Sequence, residues 1–269
     1  MGKKIKIGAL VSGGGSNLKA IIDACESGKI DAEMAFVGSD NPAAGGLTRA
    51  AQHHIPTFVV DYAGIIKEFK DDPRGFRLPE DFDPEEAFAR QTLFDVRDDR
   101  QKARAFLISR AAAEHRLLGH MAGFAFDLLV LAGFMRKLSP YIIDHIDQNS
   151  ALPRIMNIHP ALLPAFPGTD GYGDTVRYGC KVGGCTVHFV DYGEDSGPII
   201  GQRAFAIEAG DTIDAVKSKG LKLEWELYPA CIQLYAQNRL EVVKETHALP
   251  QGTVVRRRVV KIKPSRPLR

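Results

Sequence analysis

The chain has 269 residues, of which 45% are hydrophobic and 25% charged, as is typical of a globular protein with one large core. Its 35 Lys and Arg and 33 Asp and Glu give a formal net charge of +2, too small to indicate a nucleic-acid or membrane-surface partner. No apolar run reaches membrane-spanning length and no leader-like segment opens the sequence, so we expect a cytoplasmic protein that binds small molecules.

The opening of the sequence alternates between strand and helix patterns. Strands are predicted at residues 4–11, 33–37 and 57–60, and helices at 18–24 and 44–53. Strands that alternate with helices indicate a parallel sheet covered on both faces, with ligands at the carboxyl ends of the strands. We therefore predict an α/β, Rossmann-like fold with a mostly parallel central sheet and helices on both faces.

The pattern lapses at residues 63–100, which are rich in Asp, Glu, Pro and Arg and are interpreted as a partly ordered insertion. Beyond it, helices are predicted at 101–122, 140–146 and 212–237, and strands at 127–132, 154–158, 185–190 and 202–207. We expect residues 1–250 to form one domain that carries this insertion, and 251–269 to form a basic tail, interpreted as an edge strand with a frayed end.

The four cysteines offer no metal site. None belongs to a Cys-x-x-Cys pair, and Cys180 with Cys185 would supply only two zinc ligands. We expect buried free thiols and no bound metal.

A glycine loop follows the first predicted strand, with the sequence Ser12-Gly13-Gly14-Gly15-Ser16-Asn17. Glycines let a backbone approach a ligand closely, and the start of the next helix presents free N–H groups to an anion, so a phosphate is the natural ligand. The loop lacks the Gly-Lys-Ser/Thr of a Walker A motif, and Leu18 replaces the last glycine of the dinucleotide fingerprint. The alternative is a tight strand-to-helix turn capped by Ser16 or Asn17.

Asn157-Ile158-His159-Pro160 ends a predicted central strand. Two residues apart on an extended segment, Asn157 and His159 point to the same side and can converge on one carbonyl. An amide N–H can donate to a developing oxyanion, and an imidazole can give or take a proton near neutral pH. A lone His here would be a structural histidine, but the pairing favours chemistry.

Asp195 lies in a later loop, within Glu194-Asp195-Ser196-Gly197-Pro198. From there a carboxylate can reach the top of the sheet, hold His159 charged, or take the proton of an attacking amine. Alone, the same residues are a turn sequence. The hypothesis of a catalytic site therefore depends on the combination of Asp195 with Asn157 and His159.

Together and in this order, the motifs resemble the phosphoribosylglycinamide formyltransferase family, folate-dependent enzymes of purine synthesis. The resemblance covers residues 4–61 and 126–243. The segments that carry it are 12–18, 130–136, 157–164, 186–190, 195–198 and 224–229.

The resemblance implies that a formyl group passes from 10-formyltetrahydrofolate, the co-substrate, to the amine of glycinamide ribonucleotide without a metal. It implies Asn157, His159 and Asp195 as the catalytic residues. The other implied contacts are Gly15, Ser16 and Asn17 for the substrate phosphate, Glu224 for the ribose hydroxyls, Leu131, Arg136 and Leu138 for the pterin pocket, and His188 as support for the catalytic residues.

The sequence departs from the family at two places. Residues 169–174 replace a pair of histidines that many relatives carry. The insertion replaces a short connection that, in relatives, contributes a basic contact near the substrate phosphate, for which Arg97, Arg100 and Arg104 are candidates. We hypothesise that the insertion covers the active site or forms a subunit contact.

Two alternative functions remain open. Asn-x-His-Pro and a later Asp are shared with other folate-dependent formyltransferases and with formyltetrahydrofolate hydrolases. The tRNA-directed formyltransferases are expected to carry an extra C-terminal domain and the hydrolases an extra N-terminal one, for which 269 residues leave no room. A non-catalytic folate- or nucleotide-binding module is the alternative of a different class, and a homodimer is compatible with the sequence.

Overall fold

The computed structural model describes residues 4–94, 99–148 and 150–264. The strands within those ranges are β1 (Ile5–Val11), β2 (Ala32–Ser39), β3 (Thr57–Val59), β4 (Leu128–Leu131), β5 (Ile155–His159), β6 (Val182–Phe189), β7 (Ile199–Ala206), β8 (Leu240–Ala248) and β9 (Val254–Ile262). The helices there are α1 (Ser16–Glu26), α2 (Gly45–Gln52), α3 (Tyr62–Asp71), α4 (Pro84–Arg90), α5 (Arg100–Met121), α6 (Pro140–Asp147), α7 (Gly171–Arg177) and α8 (Ile213–Ala236).

Seven strands form the main sheet in the order β3-β2-β1-β4-β5-β6-β7. The pairings among β3, β2, β1, β4 and β5 are parallel, whereas β6 and β7 run antiparallel at one side. The predicted α/β fold with a mostly parallel sheet is confirmed. The order reverses direction between β1 and β4, and such a crossing point opens a crevice at the carboxyl ends of the strands.

Apolar side chains project from both faces of the sheet. Alternation along β1 directs Ile7 and Ala9 into a core shared with α1 and α8, and Leu10 into a second core shared with α5. All four residues of β4 are buried, as expected of a central strand packed on both faces. The helices therefore cover both faces, as predicted.

The insertion carries two helices that the sequence analysis did not predict. Asp61 caps α3 by accepting from the backbone N–H of Gly64, and Asp83 caps α4, where Pro84 occupies the first turn. Phe82, just before α4, packs in a small apolar cluster with residues of α5 and α6. Much of the insertion is thus folded against the domain.

The tail is part of a β-hairpin. The predicted strand is present as β9, but it pairs antiparallel with β8 in a separate two-stranded sheet. The sequence analysis did not predict β8, and residue 250, the predicted end of the domain, falls in the short turn between the two strands. Val242 and Val260 pack against the main core. Residues 265–269 of the tail lie outside the described residues.

The four cysteines are free, and Cys25, Cys185 and Cys231 are buried. Burial raises the pKa of the Cys185 thiol to about 12. The expectation of buried free thiols is confirmed for these three, while Cys180 is partly exposed. Within the part of the chain that the structure describes, no helix is both long and apolar enough to cross a membrane.

Candidate active site

Asn157 and His159 lie at the carboxyl end of β5, between β4 and β6. Strand alternation places their side chains on one face, as predicted. The pairing of β5 with β6 sets Asn157 directly opposite His188, and Nδ2 of Asn157 lies 3.2 Å from Nε2 of His188. The cross-strand register therefore explains how His188 joins the pair.

Asp195 reaches the same point from the loop between β6 and β7. Its backbone is left-handed, with φ of 51°, and Asp191 holds the loop by accepting a hydrogen bond from Ser196 Oγ at 2.6 Å. Oδ2 of Asp195 lies 3.2 Å from Nδ1 of His159, and Oδ1 lies 3.5 Å from Nδ2 of Asn157. The structure thus brings together the three residues predicted as catalytic.

Both ring nitrogens of His159 face hydrogen-bond acceptors. Nε2 lies 2.7 Å from the carbonyl oxygen of Phe166, and Nδ1 faces the Asp195 carboxylate. Because a carbonyl and a carboxylate can only accept, both bonds form at once only when both nitrogens carry hydrogen. The geometry therefore suits a positively charged imidazole buried at 2% exposure.

The surroundings keep Asp195 ionised. Burial raises the pKa of this carboxyl, but contact with His188, the charge of His159 and the backbone N–H of Gly168 together lower it below its usual value. The Gly168 N–H donates to Oδ2 at 2.8 Å. An ionised carboxylate here can accept a proton or stabilise a cation beside it.

His188 fixes the amide of Asn157. Nδ1 of His188 lies 2.8 Å from the carbonyl oxygen of Phe189, so Nδ1 carries the hydrogen. Its Nε2 lies 3.2 Å from the amide nitrogen of Asn157 and 3.6 Å from Oδ1 of Asp195, so His188 contacts both side chains. The supporting role predicted for His188 requires such a position, and the role itself stays a prediction.

An open cleft lies beside these side chains. One wall is the segment that follows β4, and it includes Leu131, Arg136 and Leu138, the three residues predicted for a pterin pocket. Leu131 and Leu138 are 5% and 4% exposed, so the wall is mostly apolar and backbone. A flat, partly apolar ring fits such a wall.

Two contacts of the cleft were not found from the sequence. Nζ of Lys137 donates to Oε2 of Glu194 at 2.5 Å and joins the wall after β4 to the loop of Asp195. Leu93, at the end of the insertion, also lines the cleft. The backbone N–H of Thr92 donates to the carbonyl of Tyr192 at 2.9 Å, which fixes that end. One residue of the insertion therefore lines the cleft, and the two roles hypothesised for the insertion, covering the active site or forming a subunit contact, stay predictions.

Arg136 is held by a carboxylate between the cleft and the glycine loop. Its Nε lies 2.5 Å from Oδ2 of Asp40, whose side chain is only 4% exposed. Oδ1 of Asp40 accepts from Oγ of Ser12, which itself accepts from the backbone N–H of Met135 at 2.8 Å. These bonds lock the segment after β4 onto the glycine loop.

Glu114 anchors the other end of that segment. Its carboxylate accepts from the backbone N–H of Ser139 at 2.8 Å and from the Ser139 hydroxyl. Burial raises the pKa of Glu114 to about 7, although the bonds from Ser139 and the charge of Arg110 lower it. The cleft wall is thus fixed both at Arg136 and at Ser139.

The glycine loop packs tightly against α2. Gly15 caps α1 with φ of 71°, and a Cβ there would lie 2.7 Å from Cα of Gly46. Nε of Arg49, on α2, donates to the carbonyl of Gly14 at 2.8 Å. The first N–H groups of a helix have no partner within it, so α1 presents donors at this loop, as predicted.

Glu224, predicted to meet ribose hydroxyls, is buried at 4% exposure. One carboxylate oxygen accepts from Nδ2 of Asn17 at 2.7 Å, and the other accepts from the hydroxyl of Tyr172 at 2.6 Å. The family resemblance implies that Asn17 and Glu224 both contact the phosphorylated substrate, and the structure brings the two side chains into contact. Tyr172 belongs to the segment that departs from the family and was not singled out.

The arginines proposed for the phosphate either pair with a carboxylate of the insertion or lie outside the described residues. Arg100 and Arg104 form ion pairs with Glu85 of α4, at 3.2 and 2.9 Å. Arg97 lies outside the described residues. Arg49 is a basic side chain that does contact the glycine loop. The sequence analysis did not single it out, because its helix follows the next strand and only the fold brings it to the loop. Among residues 4–94, 99–148 and 150–264, no group of three or more His, Cys, Asp or Glu is arranged to hold a metal ion.

Fold and site together define an α/β protein with an amide, an imidazole and a carboxylate gathered at the strand ends, beside a glycine loop. The sequence profile described as formyl transferase matches residues 5–232. The chain belongs to the formyl transferase family.

Named relatives are similar over most of the chain. A phosphoribosylglycinamide formyltransferase of Bacillus subtilis (strain 168) is 31% identical over 85% of this chain and 93% of its own length. A phosphoribosylglycinamide formyltransferase of Escherichia coli (strain K12) is 32% identical over 88% of this chain and 90% of its own length. Among solved structures, glycinamide ribonucleotide transformylase 1 from Symbiobacterium toebii is 33% identical in sequence. Its crystal structure matches this chain with a TM-score of 0.69 over 98% of this chain and 96% of that one.

Proposed function

We propose that this chain transfers the formyl group of 10-formyltetrahydrofolate to the amine of glycinamide ribonucleotide, a step of de novo purine biosynthesis. The observation that carries the proposal is the convergence of Asn157, His159 and Asp195 at the cleft. The similarity to formyltransferases named for this substrate supports it.

The first step is attack by the amine nitrogen on the formyl carbon, which forms a carbon–nitrogen bond and pushes electrons onto the formyl oxygen. Asn157 donates an amide N–H to that oxygen, and the positive charge of His159 stabilises it. Both groups lie at the carboxyl end of β5, so one carbonyl in the cleft can face both.

In the second step, the electrons on the formyl oxygen re-form the carbonyl, and the folate is released. Asp195 takes the proton that the amine loses, directly or through a water molecule. The bond from the formyl carbon to the folate nitrogen then breaks, and the proton held by Asp195 passes to that nitrogen, which returns Asp195 to its ionised form. Asp195 begins the cycle ionised, because its surroundings hold its pKa below the usual value.

The two ligands approach from different sides. Leu131, Arg136 and Leu138 line the cleft for the pterin. We assign the substrate phosphate and ribose to the other side, at the set formed by Gly15, Ser16, Asn17 and Glu224. The network from Arg136 through Asp40 to Ser12 separates the two sides.

Acceptor dependence tests the proposal. The folate absorbance is followed with and without glycinamide ribonucleotide. We expect tetrahydrofolate to form only when the acceptor is present. Release without acceptor would identify a hydrolase, and binding without release would identify a non-catalytic module. A cytoplasmic location and a homodimer stay predictions.

A further inference from the structure

A buried chain of hydrogen bonds links α7, α8 and the start of α1. The Tyr172 hydroxyl donates to Oε1 of Glu224 at 2.6 Å, and Nδ2 of Asn17 donates to Oε2 at 2.7 Å. Tyr172, Glu224 and Asn17 are 4%, 4% and 8% exposed. Three polar side chains are therefore withdrawn from water immediately behind the glycine loop.

The packing around Tyr172 is specific. A Cβ at Gly220, one turn before Glu224 on α8, would lie 2.1 Å from Cζ and 2.2 Å from the hydroxyl oxygen of Tyr172. Only a residue without a side chain leaves room for the ring at this point of α8. The aromatic ring and the glycine together direct the hydroxyl onto Glu224.

The chain of bonds sets the orientation of the Asn17 amide. Because Glu224 is acceptor-only when ionised, the NH₂ end of Asn17 must face it, and the oxygen end must face away. Oδ1 of Asn17 is buried and has no hydrogen-bond partner among the residues that the structure describes. Buried acceptors without a partner are rare in proteins, and they mark places where a ligand or a water molecule donates.

We propose that Tyr172 is a positioning residue for the phosphorylated substrate, acting through Glu224 on Asn17. This inference rests on the proposed function. Asn17 is the second residue of α1, so anchoring its side chain fixes the first turn, whose free N–H groups face the glycine loop. Glu224 thus links the hydroxyl of Tyr172 to the side-chain amide of Asn17.

Tyr172 also follows a segment that touches the catalytic residues. The carbonyl of Phe166 faces His159, and the N–H of Gly168 donates to Asp195. A variant that merely loosened this segment would disturb both ligands and the turnover. A variant that acts only through Glu224 should affect the phosphorylated substrate alone.

The test is Tyr172→Phe, which removes the hydroxyl and keeps the ring. Binding of ribose 5-phosphate is measured by calorimetry, so that it does not depend on formyl transfer. We expect its Kd to rise on the order of tenfold, since a bond to a charged group is lost. The KM for glycinamide ribonucleotide should rise similarly, with kcat and the KM for 10-formyltetrahydrofolate nearly unchanged. Tyr178→Phe, just past the opposite end of α7 and 80% exposed, is the matched control and should behave as the wild type.

A double-mutant cycle tests the route through Glu224. Glu224→Gln presents an NH₂ to the NH₂ of Asn17 or to the Tyr172 hydroxyl, so it should weaken ribose 5-phosphate binding at least as much. The double variant should bind no more weakly than Glu224→Gln alone, because the two residues act in series. Additive losses would contradict the series and overturn the proposal.

The outcomes separate this inference from the proposed function. If Tyr172→Phe binds ribose 5-phosphate like the wild type, or loses folate affinity equally, Tyr172 is not a positioning residue, whereas formyl transfer by the wild type still stands. If the wild type neither binds ribose 5-phosphate nor forms product, the proposed function fails and this inference fails with it.

Discussion

His159 and Asp195 form a buried pair in which Nδ1 and Oδ2 lie 3.2 Å apart, with side chains only 3% and 13% exposed. One residue ends a central strand and the other sits in a loop between two antiparallel strands. Removing one partner of such a pair leaves the other buried without compensation. The pair therefore couples the folding of the loop to the chemistry of the cleft.

The depressed pKa of Asp195 predicts a pH dependence of stability. A carboxyl with a lowered folded-state pKa contributes stability that is complete above the unfolded-state value of about 3.9 and is lost as pH falls through the lower folded-state value. The free energy of unfolding of Asp195→Asn should thus lie below that of the wild type near neutral pH. The gap should narrow in acid, as followed by urea unfolding between about pH 6 and pH 3. A difference between the two free energies of unfolding that widens in acid would contradict a lowered pKa for Asp195.

Replacing His159 should separate binding from turnover. His159→Gln keeps a donor for the Phe166 carbonyl but carries no charge, so we expect folate to bind with an affinity within a few-fold of the wild type. Turnover should fall about 10²- to 10³-fold, the usual range for a lost group that stabilises an oxyanion. His247→Gln, on the exposed hairpin, serves as the control for the substitution itself. Intact turnover in His159→Gln would remove this residue from the mechanism.

Gly15 should be the glycine of the loop that tolerates no side chain. Gly15→Ala forces a left-handed backbone on alanine and a contact of 2.7 Å with Gly46, so it should destabilise the fold by about 1–3 kcal/mol. A Cβ at Gly13 meets no atom within 4 Å, which makes Gly13→Ala the matched control for stability. Thermal unfolding of both variants provides the measurement, and equal losses would contradict the strain assigned to Gly15.

Local signals in the sequence were enough to predict the sheet and the three clustered residues. Asn157 and His159 end a strand whose apolar pattern is unambiguous, and the ends of parallel strands meet at one edge of a sheet. Asp195 could be predicted only in combination with Asn157 and His159, because its own neighbours are an ordinary turn sequence. The caps at Asp61 and Asp83-Pro84 were present in the sequence as helix signals and would have identified α3 and α4.

Other features depend on contacts that no local pattern carries. Strand β8 is mostly exposed, and its two valines are adjacent and followed by a polar run, so no alternating pattern marks it and only its pairing with β9 reveals it. Helix α7 has seven residues and includes Gly171 and Gly173, which are poor helix formers. The contacts of Arg136 with Asp40 and of Tyr172 with Glu224 join distant parts of the chain, and propensity says nothing about them.

The most direct test of the central claim is the single-turnover rate of formyl transfer by Asn157→Ala, with both substrates saturating and folate affinity measured in parallel. The amide of Asn157 is held by His188 and faces the cleft, so its loss should slow the chemical step about a hundredfold or more while folate still binds. A variant that transfers the formyl group at nearly the wild-type rate would contradict the account of this site.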